Sequence, residues 1–345
     1  MKTLKVAMLG FGNAGSAVGR LLADKHDEIM EKYDCDVKVT AIVTGKRGSV
    51  VDPEGIDLSK VCKAGATGAF PEDIRGLGAV SALDVVKNAD YDVVCEMTPL
   101  NIFSGEPAIT HIKEAFGRKK HVITANKGPI AWAYDELSQM AAENGCMFFY
   151  ETVVMDGTPV FNLTEHTLKM CKVTEVSGIL NSTTNYILEE LAKGRDYDSI
   201  MESGRRLGFV EADPAMDIEG YDAAAKVTAL LNVLMKAGIT PDMVERTGIE
   251  NITADDIKKA ASRGKVIKLL CSGKLEDDGR VTASVKPVEV EMGDMLASID
   301  STTSVVSITT DLMGKISVIE HAPEIEQTAY GVFGDIIRVV EGIQQ

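Results

Sequence analysis

Residues 4–29 read LKVAML GFGNAG SAVGRLLADKHDEI, and the fold follows from them. The apolar run Leu4–Leu9 has the length of a buried strand, and the residues from Ser16 onward carry helical spacing. Between them, Gly10, Gly12 and Gly15 occupy the first, third and sixth places of the turn. Gly10 permits a tight turn, Gly12 lets the backbone approach a pyrophosphate, and Gly15 brings the helix against the strand. The start of the helix then faces the anion with unpaired amides and the positive end of its dipole. This context makes Gly10, Phe11, Gly12, Asn13, Ala14 and Gly15 candidate cofactor contacts in a parallel, doubly wound sheet.

Outward from that stretch, Val37–Thr44 reads as the second strand, whose end normally discriminates between dinucleotides. An acid there would hold the adenosine ribose of NAD, whereas cations accommodate the extra phosphate of NADP. Thr44 is followed by Gly45, Lys46 and Arg47, with no acid before Asp52. NADP, or use of both cofactors, is the expectation, with Lys46 and Arg47 near the phosphate. Two further strands are expected at Tyr91–Pro99 and His121–Ile130, the second broken at Asn126-Lys127-Gly128-Pro129. Ligands of open parallel sheets sit beyond the carboxyl ends of the strands, where Thr98 and Lys127 fall. A helix over Trp132–Asn144 and a strand in CMFFYETVV complete this part.

Composition changes near residue 150. The loop Glu151–Pro159 offers a carboxylate and backbone carbonyls, a donor set suited to a hard cation. A strand within Lys172–Leu180 leads to Asn181-Ser182-Thr183-Thr184-Asn185, where Thr184 or Asn185 is placed to cap a helix from Tyr186. The segment Glu211–Lys226, EADPAMDIEGYDAAAK, is dense in carboxylates and ends in a lysine. Asp222 and Lys226 are four apart and share a helical face. A surface ion pair is the plain reading of that spacing. The alanines and valine around Lys226 favour another, a lysine partly withdrawn from water and steered by a carboxylate, which suits acid/base work. The surplus acids suit a substrate with an ammonium group. Strands in RVTASVKPVEV and in Ser304–Glu320 suggest a mixed sheet, and QTAYGVFGDIIRVVEGI an amphipathic helix that returns to the first domain.

The expected class is α/β: an N-terminal Rossmann dinucleotide-binding domain (1–150) and a second α+β catalytic and dimerisation domain on a mixed sheet (151–315). Residues 316–345 form the returning segment. Composition restricts the partners. A formal net charge of -16 argues against a general nucleic-acid or anionic-membrane surface. The six cysteines are scattered without paired spacing, so neither a disulfide framework nor a zinc site is suggested. No apolar run reaches the ~18 residues of a membrane helix, and no signal segment precedes the first strand. A cytoplasmic protein acting on a small molecule is expected.

GFGNAG, VITANKGPI, YETVVMDGTPV, GILNSTTNYIL and GFVEADPAMDIEGYDAAAK occur together in this order, and in that the chain resembles the homoserine dehydrogenase family, in the short form without a C-terminal regulatory domain. The resemblance implies NAD- or NADP-dependent interconversion of L-homoserine and L-aspartate 4-semialdehyde. It also implies that Lys226 exchanges the hydroxyl proton, Lys127 holds the reacting oxygen and Asp222 orients Lys226. Glu211 and Asp217, with Asn181 and Thr183, would bind the substrate. Glu151 with the carbonyls of Val154, Asp156 and Thr158 would hold a monovalent cation such as Na+, and the protein would be a homodimer.

Three places depart from the family pattern. Ser182 follows Asn181 where a glycine is usual, Glu320–Thr328 replaces a glycine-rich loop, and Leu100-Asn101 follows Thr98-Pro99 in place of a small polar residue. These leave two other functions in play. One is a dehydrogenase of the same build for a different amino or hydroxy acid. The other is a non-catalytic NADP-binding sensor, which would need the glycine turn but not Lys127, Asp222 and Lys226.

Overall fold

The computed structural model describes residues 1–211 and 213–344. The chain divides into two units, Met1–Pro159 with Glu324–Gln345, and Val160–Pro323.

The first unit runs β1 (Lys2–Leu9), α1 (Asn13–Asp24), α2 (His26–Tyr33), β2 (Cys35–Val43), β3 (Ser49–Val51), α3 (Leu58–Val61), β4 (Leu77–Gly78), α4 (Ala82–Asn88), β5 (Val93–Glu96), α5 (Ala108–Gly117), β6 (His121–Thr124), α6 (Lys127–Glu143) and β7 (Phe148–Phe149). Its sheet has the order β4-β3-β2-β1-β5-β6-β7. The pairs from β2 through β7 are parallel, and β3 and β4 add antiparallel at one edge. Strand order reverses between β1 and β5, and the crevice of such a sheet opens at that switch. One core lies between the sheet, α1 and the C-terminal helix (Ile325–Gly342), uniting Leu4, Val6, Met8 and Val18 with Val332, Ile336 and Val339.

Three expectations shift in this unit. The helix expected over 16–29 divides at Lys25, whose backbone leaves helical geometry (φ -100°, ψ 5°). The second piece is held against β2, with His26 Nε2 3.1 Å from Asp36 Oδ1. α6 begins at Lys127, earlier than expected, because the Asn126 side chain accepts from Gly128 N and caps the first turn; a kink at Ala133 (φ -144°, ψ 23°) separates this first piece from the helix expected from Trp132. Pro129 falls where helix amides have no partner, so it does not interrupt. The strand expected through Val154 is confined to Phe148–Phe149 and gives way to a 3-10 turn at Glu151–Val153. There the Glu151 amide donates to Asp335 Oδ2 of the C-terminal helix (3.1 Å), not to a neighbouring strand.

The second unit runs α7 (Val160–Thr167), β8 (Val173–Ile179), α8 (Ser182–Ala192), α9 (Tyr197–Leu207), α10 (Ala215–Ile218), α11 (Tyr221–Met235), β9 (Glu245–Arg246), α12 (Ala254–Ser262), β10 (Lys265–Leu275), β11 (Val281–Glu291), β12 (Ser304–Thr310) and β13 (Gly314–Glu320). The sheet order is β13-β12-β8-β10-β11-β9. It is mixed as expected: β9 pairs parallel to β11 and the other pairs are antiparallel. α11 packs closely on it, since a Cβ on Gly273 of β10 would lie 2.3 Å from the Leu231 side chain.

The division therefore falls at Pro159/Val160 and Pro323/Glu324, not at 150 and 315. The 151–159 loop is tied to the C-terminal helix by the Glu151–Asp335 bond and by Thr328 Oγ1 donating to Asp156 Oδ1 (2.6 Å). At the other end, β13 pairs along its whole length with β12.

Candidate functional site

In the first unit the glycine turn has the geometry its spacing predicts. Gly10 has φ +96°, and a Cβ there would lie 2.2 Å from the Met97 carbonyl oxygen. A Cβ on Gly15 would lie 2.5 Å from Gly10 O, so helix and turn meet at van der Waals limits. Around Gly12 a Cβ would meet nothing within 4 Å. Gly12 and Asn13 are exposed and Ala14 is half-buried at the start of α1, where free amides favour an anion. Phe11 turns its ring into the core.

Beside the turn lies a cleft of about 630 Å³ lined by Gly10, Thr44, Lys46, Ser81, Thr98 and His111, among others. Lys46 and Arg47, adjacent in sequence, part company here. Lys46 lines the cleft. Arg47 donates to the carbonyls of Gly65 (2.9 Å), Gly68 (3.1 Å) and Phe11, with its guanidinium against the rings of both Phe11 and Phe70. Its charge thereby braces the glycine turn against the 65–70 loop. At the β5 side, Asn126 Nδ2 donates to the Thr98 carbonyl (3.2 Å), and Lys127 opens α6 half-buried.

The Glu151–Thr158 loop places Glu151 and Val154 in the interior, each 4 % exposed. Asp156 takes φ +44°, turning the chain sharply, and Thr158 N donates to Met155 O (2.8 Å).

In the second unit, four of the expected residues form one bonded cluster. Lys226 Nζ stands 3.1 Å from Asp222 Oδ2 and donates to the Leu180 carbonyl (2.8 Å). Asn181 Nδ2 donates to both Asp217 Oδ1 (2.6 Å) and Asp222 Oδ2 (2.9 Å). Its Oδ1 accepts from Thr184 N (2.8 Å), so Asn181 caps α8, which starts at Ser182; the cap expected at Thr184 or Asn185 is displaced to Asn181. Asn185 instead donates to the carbonyls of Ile299 and Ser301. Burial, and then the Asp222 charge, push the Asp217 carboxyl above its usual range, while the Asn181 amide pulls it back. Thr183 Oγ1 donates to Phe209 O (3.0 Å). Glu211 is exposed and no bond joins it to this cluster among the described residues.

The unusual loop before the last helix is also resolved into roles. Glu324 caps that helix in a reciprocal box with Gln327, and Glu320 is buried at the end of β13. The Leu180 carbonyl that receives Lys226 escaped notice in the sequence, because a backbone acceptor has no residue signature. Glu96 also escaped, although a carboxylate inside the apolar run YDVVCEM was a visible signal.

No group of three or more His, Cys, Asp and Glu side chains among the described residues is arranged to hold a metal ion. No helix among them is long and apolar enough to cross a membrane.

Two family matches cover the chain: "Homoserine dehydrogenase, NAD binding domain" over residues 10–151 and "Homoserine dehydrogenase" over residues 159–337. The homoserine dehydrogenase of Methanocaldococcus jannaschii is 37% identical over 341 residues, which span 97% of this chain and 98% of that protein. An NAD(+)-dependent homoserine dehydrogenase of Pseudomonas canavaninivorans is 34% identical, with 98% and 97% covered. The crystal structure of a homoserine dehydrogenase from Thiobacillus denitrificans superposes with a TM-score of 0.83 at 28% identity, over 99% of this chain and 74% of that one. On matches that span both units and nearly the full length, the chain belongs to the homoserine dehydrogenase family of NAD(P)-dependent oxidoreductases.

Proposed function

We propose that this protein interconverts L-homoserine and L-aspartate 4-semialdehyde with Lys226 as the acid/base. The observation that carries the assignment is the Lys226 cluster: an amine fixed by Asp222 and by the Leu180 carbonyl, on a helix otherwise rich in alanine. In the oxidative direction the nicotinamide supplies the hydride acceptor. Lys226 takes the hydroxyl proton, Asp222 holds its amine in place, and Lys127 steadies the reacting oxygen by charge. Asp217 and Glu211 receive the substrate ammonium, with Asn181 and Thr183 completing the binding wall. The test is homoserine-dependent reduction of nicotinamide, followed by absorbance, in the wild type and in Lys226→Ala. Turnover in the variant should fall by roughly 10²-fold or more while cofactor binding persists. Turnover equal to wild type would remove Lys226 from the mechanism.

For the cofactor, NADP is supported by Lys46 lining the cleft and by the absence of an acid from Thr44 to Arg47. Use of NAD is favoured by a different observation: Arg47 is already engaged by three carbonyls, leaving Lys46 to meet a 2′-phosphate without it. Lys46→Ala should weaken NADP more than NAD; equal losses would refute the assignment of Lys46 to the 2′-phosphate. Glu151 with the carbonyls of Val154, Asp156 and Thr158 is assigned to a monovalent cation such as Na+. Exchange of sodium for tetramethylammonium should then lower the melting temperature. A homodimer through the sheet of the second unit is expected and is checked by light scattering. The six free thiols suit the reducing cytoplasm.

A further inference from the structure

Glu96 ends β5, and it is 0 % exposed in the sheet of the first unit. Two donors of Thr98 and a ring nitrogen of His111 meet one of its oxygens. The Thr98 hydroxyl donates to Oε1, the Thr98 amide lies 3.4 Å from the same atom, and His111 Nδ1 stands 3.4 Å away. Oε2 is buried and has no hydrogen-bond partner among the described residues. An orphaned buried acceptor is destabilising, because it has given up water and gained no partner. The other residues of β5, Val93, Val94 and Cys95, carry no such cost, so stability alone does not account for a carboxylate here.

Thr98 and His111 line the cleft with Gly10, Thr44 and Lys46, whereas Glu96 does not. An oxygen that receives the Thr98 backbone N–H is an acceptor, so the single hydroxyl proton of Thr98 is committed to Glu96. Thr98 Oγ1 therefore presents only lone pairs to the cleft. With the pyrophosphate at the Gly10–Gly12 turn and the adenosine half at the end of β2, the nicotinamide riboside half falls at the β5 side of the switch.

We propose that Glu96 is a positioning residue of the cofactor site: together with His111 it fixes Thr98 as a pure acceptor, which selects a hydrogen-bond donor on the nicotinamide riboside. That donor is the carboxamide N–H or a ribose O–H. Holding it sets the angle at which the ring meets the substrate. The inference rests on the cleft being the dinucleotide site.

The experiment measures cofactor affinity and steady-state kinetics for Thr98→Val, Thr98→Ser, Glu96→Gln and the double variant Glu96→Gln/Thr98→Val. Thr98→Val should raise the cofactor KM about 10-fold, the worth of one such bond, and Thr98→Ser should restore it. Glu96→Gln should raise the same KM with the homoserine KM unchanged, and the double variant should be no worse than Thr98→Val. Losses that add would show Glu96 acting independently of Thr98 and overturn the proposal, as would wild-type affinity in Thr98→Val. The 3-acetylpyridine analogue of NAD, a ketone without the amide N–H, separates the two donors. No further loss on Thr98→Val with this analogue assigns the carboxamide, and the same loss assigns the ribose. If Glu96→Gln melts early, the same cycle is measured well below its melting temperature, where the additivity of the two losses still decides. If Gly12→Ala leaves cofactor affinity intact, the cleft assignment fails; if Gly12→Ala loses affinity but Thr98→Val does not, only the polarity argument fails.

Discussion

The two units of this protein make their sites from different materials. In the first, the proposed recognition falls mostly to the backbone: the Gly10 turn, the open space at Gly12 and the amides at the start of α1. In the second, side chains do it, with Asn181, Asp217, Asp222 and Lys226 bonded to one another. A backbone site is made by leaving atoms out, and it tolerates no additions. A side-chain site is made of groups that perturb each other's charge, so its weakness is electrostatic. The cofactor's pyrophosphate is invariant, which suits fixed backbone; the reacting alcohol changes charge during turnover, which demands groups that exchange protons.

That contrast breaks most visibly under paired substitutions. Lys226→Ala should reduce kcat by roughly 10²-fold or more and leave cofactor KM near wild type. Gly12→Ala should do the reverse, raising cofactor KM by about 10-fold or more through blocked approach, with an unchanged melting temperature. Steady-state kinetics on both variants checks the split, and a matching pattern in the two would erase the distinction drawn here.

Gly10→Ala separates fold from site within the first unit. Its φ of +96° and the Met97 carbonyl at 2.2 Å leave no room for a methyl group. About 1–3 kcal/mol of stability should be lost. Calorimetry should show a melting temperature lower by roughly 2–4 °C for each kcal/mol, against none for Gly12→Ala.

Asp217→Asn tests the electrostatic half. Because burial and the Asp222 charge raise the Asp217 carboxyl above 3.8, the folded protein holds that proton more tightly than the unfolded chain does. Stability therefore falls as pH rises from the unfolded value through the folded one. Asp217→Asn removes that loss, so it should melt at a higher temperature than wild type at pH 7, and at the same temperature well below pH 4. Its homoserine KM should rise at the same time. A variant less stable at pH 7 would contradict the charge argument.

The smallest expected effect lies outside both sites. Asp36, and then Asp27, raise the titration of His26 above 6.5. The resulting stability is fully present below that value and is lost as pH rises through the folded one. With His26 41% exposed, Asp36→Asn should cost less than about 1 kcal/mol at pH 5 and less still once His26 is neutral, when only the Lys38–Asp36 pair at 3.4 Å remains to be lost.

How much of this was legible in the sequence follows the same contrast. Backbone requirements write themselves into glycines, so the tight turn at Gly10 and the close approach at Gly15 were readable. The i,i+4 spacing of Asp222 and Lys226 was readable for a similar local reason. What was hidden depends on long-range neighbours. Leu180 O meets Lys226 across 46 positions. Arg47 was expected near the phosphate beside Lys46, and its bonds to the carbonyls of Gly65 and Gly68 and its contact with Phe70, about 20 residues on, were not legible. Asn181 was expected as a substrate contact, and its second task as the cap of α8 emerges only once the helix start is known.

The helix Ile325–Gly342 seals the core of a unit whose other elements precede Pro159. On the ribosome, all of Val160–Pro323 is made before that seal exists. The nascent first unit must wait with the seats of Val332, Ile336 and Val339 still open, and a nascent chain halted before residue 325 should be a chaperone client even with both sheets already synthesised.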